Sequence, residues 1–256
     1  GGNSVSLTFF RLFFGAIAFS LMNSRVGDTL HLSRQEFKSI CICTAGFVAT
    51  PLLLFTSYNF LPTGLATTIH YVYPVLVLLG CLAFLKERLN SRKIISCALC
   101  MVGILCFYTP SGEISILGIL IAIASGAANA FYTVFVSASG LLLLPTFKLA
   151  GWLNAISILP VVLVAPAMGG LVLPTSISGW EALFLLCTLS GTANIAYMLG
   201  TKFVGPQSIS LLSTFEPLTS VVLGTIVLHE TITRQSGWGI VCILLAVCLV
   251  STTKDP

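Results

Sequence analysis

Nine stretches of the chain are apolar almost without interruption: residues 5–22, 37–58, 66–85, 93–108, 115–138, 148–165, 180–200, 207–228 and 237–252. A bilayer core about 30 Å thick needs about 20 apolar residues per helix. None of the runs shows the two-residue alternation of a lipid-facing β-strand. The pattern predicts an all-α polytopic membrane protein of nine helices. Between the fifth and sixth runs, residues 139–147 carry no charge, and only Gly140 and Pro145 mark a turn. Composition agrees with this reading. The 256 residues are 56% hydrophobic and 8% charged, with a mean hydropathy of +1.03, whereas a soluble domain carries about 25% charged residues. A soluble enzyme, a disordered tail and a nucleic-acid binder are thereby excluded, and the lipid bilayer becomes the first partner.

Charge orients the runs. If they cross in alternation, one side of the membrane holds Arg25, Arg34, Lys38, Lys86, Arg88, Arg92, Lys93, Lys148, Lys202 and Lys254. The other side holds Arg234 alone, and Arg11 falls within a run. Basic residues in short loops favour the cytoplasm, so the pattern predicts a multi-pass cell-membrane protein with a cytoplasmic C-terminus. The net charge of +4 then reflects loops lying beside anionic head groups. The nine cysteines fall in the runs or at their cytoplasmic ends, and Cys97 and Cys100, despite their CxxC spacing, read as core filler. The opening Gly-Gly-Asn-Ser has no basic n-region, so a signal peptide is not expected.

The chain also matches itself at an offset of 143. Phe37 meets Trp180, Phe60 meets Phe203, Pro74 meets Pro217, Leu85 meets Leu228, Glu87 meets Glu230, and Arg11 meets Asn154. Few other letters agree, so matched spans and breaks carry the alignment. Each unit contains five helices, an odd number, so the second unit runs inverted, as in many secondary transporters. The expected units are 1–110, lacking its first helix, and 111–256; the fifth run has no counterpart, which implies a ten-helix parent.

Two segments, ATTIHYVYPVLVLLGCLAFLKERL (66–89) and SISLLSTFEPLTSVVLGTIVLHETI (208–232), resemble the EamA-type repeat of the drug/metabolite transporter superfamily. The shared features are a small or polar helix start, a mid-helix proline and a Glu closing the helix. The Thr-Phe-Phe-Arg11 stretch resembles the Arg-bearing second helix of that family, while Lys86 and His229 stand where a Gly often precedes the Glu. The resemblance implies a ten-helix inverted repeat around a central cavity that moves amino acids or other small metabolites.

Chemistry concentrates at the prolines. Glu216 lies near the middle of its run, where an isolated carboxylate is costly, and Pro217 cannot donate to the Ser213 carbonyl. A titratable acid beside a freed acceptor suits a proton or cation relay; a protonated Glu packed against a neighbouring helix is the plainer alternative. Its offset mate Tyr73 precedes Pro74, with His70 one turn earlier, and Pro74 is expected to free the His70 carbonyl. His70 titrates near neutral pH when exposed and otherwise reads as a packing residue. Arg11 either holds a carboxylate or snorkels to the outer interface. Asn129 and Tyr132, Trp152 and Asn154, and Asn194 and Tyr197 form a further polar set that lines a cavity or bridges helices. Glu87 and Glu230 read as structural locks or gates.

Together these residues point to a secondary active transporter with alternating access. Its expected partner is a small organic solute, an amino acid or amine, with protons as a candidate coupling ion. No cofactor, metal site or catalytic residue is expected, and no Walker-type glycine loop occurs. Two rivals stand beside it. Ala124-Ser125-Gly126 is similar to the nucleophile segment of rhomboid proteases, although Ile123 replaces the expected Gly and His70 precedes the Ser. A channel is the other rival, but the chain has no filter motif.

Overall fold

The computed structural model describes residues 3–86, 90–106, 115–219 and 234–251, and among these every regular element is helical. The helices are α1 (Ser4–Val26), α2 (Arg34–Ser57), α3 (Thr63–His70), α4 (Tyr73–Gly80), α5 (Ser91–Leu105), α6 (Ile116–Ala138), α7 (Thr146–Val164), α8 (Ile177–Leu212) and α9 (Arg234–Ser251). Among the described residues, six segments are long and apolar enough to cross a membrane: α1, α2, Thr63–Leu85, α6, Thr146–Met168 and α8. Local chemistry sets several ends. The Asn3 side chain accepts the Ser6 N–H at the start of α1, and Gly27 closes that helix at φ 85°. Ser33 and Glu36 form a reciprocal capping box on α2.

Each predicted run has a helical counterpart, but two runs are interrupted. The run at 66–85 breaks after His70, where the Val72 N–H turns to the Ile69 carbonyl. The chain restarts at Tyr73 with Pro74 in the first turn, as suits a residue that has no N–H to give, and it finishes in a π-turn at Cys81–Leu85. The runs at 180–200 and 207–228 merge into α8, which bends at Gly205 (φ 81°, ψ 162°) just before Pro206. Only glycine adopts that backbone without strain. The chain turns again at Ser213–Thr214 and resumes as helix over 215–219. The uncharged stretch at 139–147 holds a 3-10 turn at Leu141–Leu143 that begins from Gly140 at φ 72°.

One expectation about a freed carbonyl needs correction. The Ser213 carbonyl accepts the Glu216 N–H at 3.0 Å, because the turn at 213–214 lets the chain pair three residues back instead of four. The His70 carbonyl packs against Gly126 of α6, where a Cβ would sit 2.7 Å from it. The Ser213 oxygen is therefore not a free backbone acceptor, while the His70 oxygen is covered by α6. Glu87 and Glu230 lie outside the described residues.

The most extensive helix pairings are α2 with α6, α1 with α7, and α5 with α9. Small residues permit such close approach: a Cβ on Gly46 of α2 would stand 2.7 Å from the Ala128 carbonyl of α6. A buried apolar cluster that includes Phe19, Ile40, Val136, Leu149, Leu153 and Met198 fills the end of the bundle nearest the basic loops. At the opposite end, Asn3 donates to the Gly170 carbonyl at 2.7 Å and Ser6 accepts the Val172 N–H at 2.7 Å. These bonds tie the α7–α8 connection to the start of α1.

Candidate functional site

A cavity of about 470 Å³ opens among α1, α2, the α3–α4 break, α6, α7, α8 and residues 213–216. Its wall includes Arg11, His70, Tyr73, Asn129, Tyr132, Asn154, Asn194, Tyr197 and Glu216. The remaining wall residues are Phe47, Thr50, Pro51, Leu54 and Phe55 of α2, Tyr58 just after it, Ser190, Gly191 and Ala193 of α8, and Ser213. Pro74 and Pro217 are not on the wall; each sits in the first turn of the helix that follows a break. Trp152 is off the wall too, its indole donating to the Leu30 carbonyl at 2.9 Å. A second groove of about 260 Å³, between the starts of α1 and α8, is lined by Leu7, Phe10, Pro174, Leu183 and neighbours. It contains none of the residues singled out from the sequence.

The wall residues pair at the offset of 143. Arg11 and Asn154, Phe47 and Ser190, Thr50 and Ala193, and Pro51 and Asn194 are four such pairs. Leu54 and Tyr197, His70 and Ser213, and Tyr73 and Glu216 are three more. Positions 143 residues apart thus border one space.

Three hydroxyls, Ser213 on the wall and Ser125 and Thr133 just behind it, fix its hydrogen-bond polarity. Ser125 of α6 is fully buried and its Oγ lies 2.8 Å from the Thr50 carbonyl and 2.9 Å from His70 Nδ1. A hydroxyl has one proton and a carbonyl only accepts, so Ser125 donates to Thr50 and His70 Nδ1–H donates to Ser125. Nε2 is then the acceptor of the neutral ring. Ser213 donates to the Ser210 carbonyl at 2.8 Å, while the Thr214 N–H turns to Leu211; Tyr73 therefore donates its phenolic proton to Ser213. Thr133 donates to the Asn129 carbonyl at 2.9 Å and receives the Tyr197 hydroxyl at 2.9 Å. Tyr71, a buried residue of the same aromatic stretch as His70 and Tyr73, hydrogen-bonds the Glu216 side chain.

The other wall groups differ in how they are engaged. Glu216 is exposed and Arg11 is half-buried, with Arg11 near Cys187 of α8. Asn154 donates to the Ala150 carbonyl at 2.8 Å. The Tyr132 hydroxyl is buried with no hydrogen-bond partner among the described residues, and its ring packs on Phe47 at 5.2 Å. Among the described residues, no group of three or more His, Cys, Asp or Glu is placed to hold a metal ion. The sequence carried a signal for Ser213, the offset mate of His70. It carried none for Thr133, and for Ser125 only the similarity to a protease nucleophile segment, which says nothing of a role as acceptor for His70.

Comparison with known proteins adds the ancestry of this arrangement. The model of the EamA-like transporter family matches residues 1–109 and again 116–252. The chain is 26% identical over 210 residues to an uncharacterized transporter of Synechocystis sp., a match covering 79% of this chain and 63% of that one. It is 26% identical over 202 residues to the uncharacterized transporter YvbV of Bacillus subtilis, covering 76% and 65%. An uncharacterized transporter of Archaeoglobus fulgidus is 27% identical over 255 residues, covering 97% and 87%. The chain thus spans less than two thirds of the length of the first two relatives. A solved crystal structure superposes with a TM-score of 0.84 at 18% identity, covering 97% of this chain and 89% of that one, which establishes a shared fold.

Proposed function

The chain belongs to the EamA-like transporter family, and from that premise we propose that it is a secondary active transporter that carries a small organic solute, an amino acid or amine, across the cell membrane by alternating access. The units 1–110 and 111–256 act as inverted repeats rocking about the cavity. The observation that carries this reading is the wall itself: seven pairs of residues, each separated by 143 positions, border one space. A cavity on the axis between two repeats is where such a carrier binds its solute. The apolar cluster around Phe19, Leu149 and Met198 closes the basic-loop end, taken as cytoplasmic, so the described state is closed inward. The C-terminus is then cytoplasmic as well.

Glu216 is our candidate for the proton-coupling group, because it is an exposed carboxylate on the wall at a depth where an unneutralised charge is unfavourable. Gradients supply the energy. In proteoliposomes of the full-length protein, Glu216→Gln is expected to abolish the dependence of solute flux on a pH gradient. Coupling that survives the substitution would remove Glu216 from that role.

One observation favours a hydrolase instead: His70 lies 2.9 Å from Ser125. The direction of that bond argues the other way. Ser125 gives its proton to Thr50 and receives one from His70, whereas a nucleophile must give its proton to the imidazole. Ser125 is also sealed from the cavity. Cleavage of a membrane peptide that Ser125→Ala abolishes would replace the transport reading with the enzymatic one. Saturation-free conductance would replace it with a channel.

A further inference from the structure

We propose that the part of the wall formed by His70, Tyr73, Tyr197 and Glu216 is an ammonium-binding subsite whose polarity is set by three hydroxyls, Ser125 and Thr133 behind the wall and Ser213 on it. The inference rests on the reading of the cavity as a solute site and adds what kind of group enters it.

Each of the three wall aromatics has one polar hydrogen when neutral. Each of those hydrogens is directed away from the cavity: His70 to Ser125, Tyr73 to Ser213, Tyr197 to Thr133. The three hydroxyls cannot return a proton, because each spends its own on a backbone carbonyl, of Thr50, Ser210 and Asn129 in turn. The carbonyls fix the direction, since they accept and never donate. What remains for a solute is Nε2 of His70, the phenolic lone pairs of Tyr73 and Tyr197, and the Glu216 carboxylate. All are acceptors.

Such a surface opposes a carboxylate or phosphate, whose lone pairs would meet lone pairs, and welcomes a group with several hydrogens and a positive charge. An organic ammonium fits better than a bare inorganic cation for a second reason. The rings of His70, Tyr71 and Tyr73 cluster with centroids 5.4–5.8 Å apart, and aromatic faces attract alkylammonium groups. Phe47, Phe55 and Tyr58 on the same cavity offer an apolar surface for the body of the solute. Arg11, the one Arg or Lys among the described wall residues, comes from α1 and marks where any acidic end of a solute would lie.

The three positioning residues make a distinctive prediction. Removing one does more than weaken a contact. It releases a phenolic or imidazole proton into the cavity and converts an acceptor to a donor at that point. Ser213 is the sharpest case, because Tyr73 would then be free to donate inward.

The test is equilibrium binding of labelled phenethylammonium to the purified full-length protein in lipid nanodiscs, with 3-phenylpropanoate and 2-phenylethanol as competitors of similar shape, and flux of the same probe in proteoliposomes. Phenethylammonium is expected to bind at least about tenfold more tightly than 3-phenylpropanoate, the scale of one hydrogen bond to a charged group. Ser213→Ala is expected to shrink that ratio about tenfold. Ser213→Thr, which keeps the hydroxyl, should restore it, and Tyr73→Phe/Ser213→Ala should bind 2-phenylethanol no better than Tyr73→Phe alone. Equal or tighter binding of the carboxylate, no binding of any probe, or an unchanged ratio in a folded Ser213→Ala protein would overturn the subsite. Probe that binds with the expected preference but is not translocated would refute transport and leave the subsite standing. Translocation without preference would do the reverse.

Discussion

A close backbone approach behind the cavity gives a clean test of the packing argument. Gly126 of α6 faces the carbonyl of His70 at the α3–α4 break, and a Cβ there would lie 2.7 Å from that oxygen and 3.2 Å from Val72 Cγ1. Ordinary contact begins near 3.4 Å, so Gly126→Ala drives a methyl about 0.7 Å into a backbone atom that no rotamer change can move. Gly64 of α3 has nothing within 4 Å of its Cβ position. Replacing either helical glycine by alanine brings a similar gain in helix propensity, about 0.5–1 kcal/mol, so the difference between the two variants isolates the overlap. Overpacking of this kind costs about 1–3 kcal/mol. Gly64→Ala should therefore unfold at or above the wild-type temperature and Gly126→Ala below Gly64→Ala by about 2–4 °C for each kcal/mol. Thermal unfolding in one detergent at one scan rate measures this, since midpoints of irreversible transitions compare only under matched conditions. Equal midpoints would refute the close approach of α6 to the break, and with it the geometry that seats His70 on Ser125.

Three further outcomes follow from named contacts. Gln207 is 1% exposed, and neither polar atom of its amide has a partner among the described residues. Gln207→Met should raise stability by about 1–2 kcal/mol, and a lower unfolding temperature would mean that the amide is engaged. Tyr132→Phe removes a buried, unpaired hydroxyl, so it should leave the unfolding temperature level or higher; a marked fall would show the hydroxyl to be satisfied. Asn3→Ala loses both the α1 cap and the bond to Gly170. It should cost about 1–2 kcal/mol and speed proteolysis between residues 165 and 176, with unchanged cleavage refuting the tie.

The helices were legible because a bilayer leaves a chain few choices: each run must satisfy its own backbone, so length and hydropathy suffice to find it. The breaks were half legible. Pro74 and the Gly205–Pro206 pair mark interruptions on elementary grounds, and the structure interrupts the helices at those points. What becomes of the carbonyls does not follow from the letters. A proline removes one donor, but whether its orphaned acceptor stays open depends on how the next turn pairs. At Ser213 the Glu216 N–H moves in, and at His70 the neighbouring helix closes over the oxygen. The polar set had the same limit. His70 and Ser125 are 55 residues apart, and their bond exists only because α3 and α6 pack together. No spacing rule reaches across that distance.

The pairing at 143 residues also separates what the fold repeats from what it does not. Equivalent positions come to one wall, yet they carry different chemistry: a phenol opposite a carboxylate at Tyr73 and Glu216, an imidazole opposite a hydroxyl at His70 and Ser213, a guanidinium opposite an amide at Arg11 and Asn154. Backbone symmetry follows from helix packing, which needs only similar shapes at similar places. Side chains on a cavity are released from that requirement because they have no packing partner to match. A two-repeat scaffold can hold its helices alike while making one end of the space rich in acceptors and leaving a fixed cation elsewhere. On the proposed reading, a solute that enters such a space is oriented by that asymmetry, and a symmetric frame lets the same space open to either side.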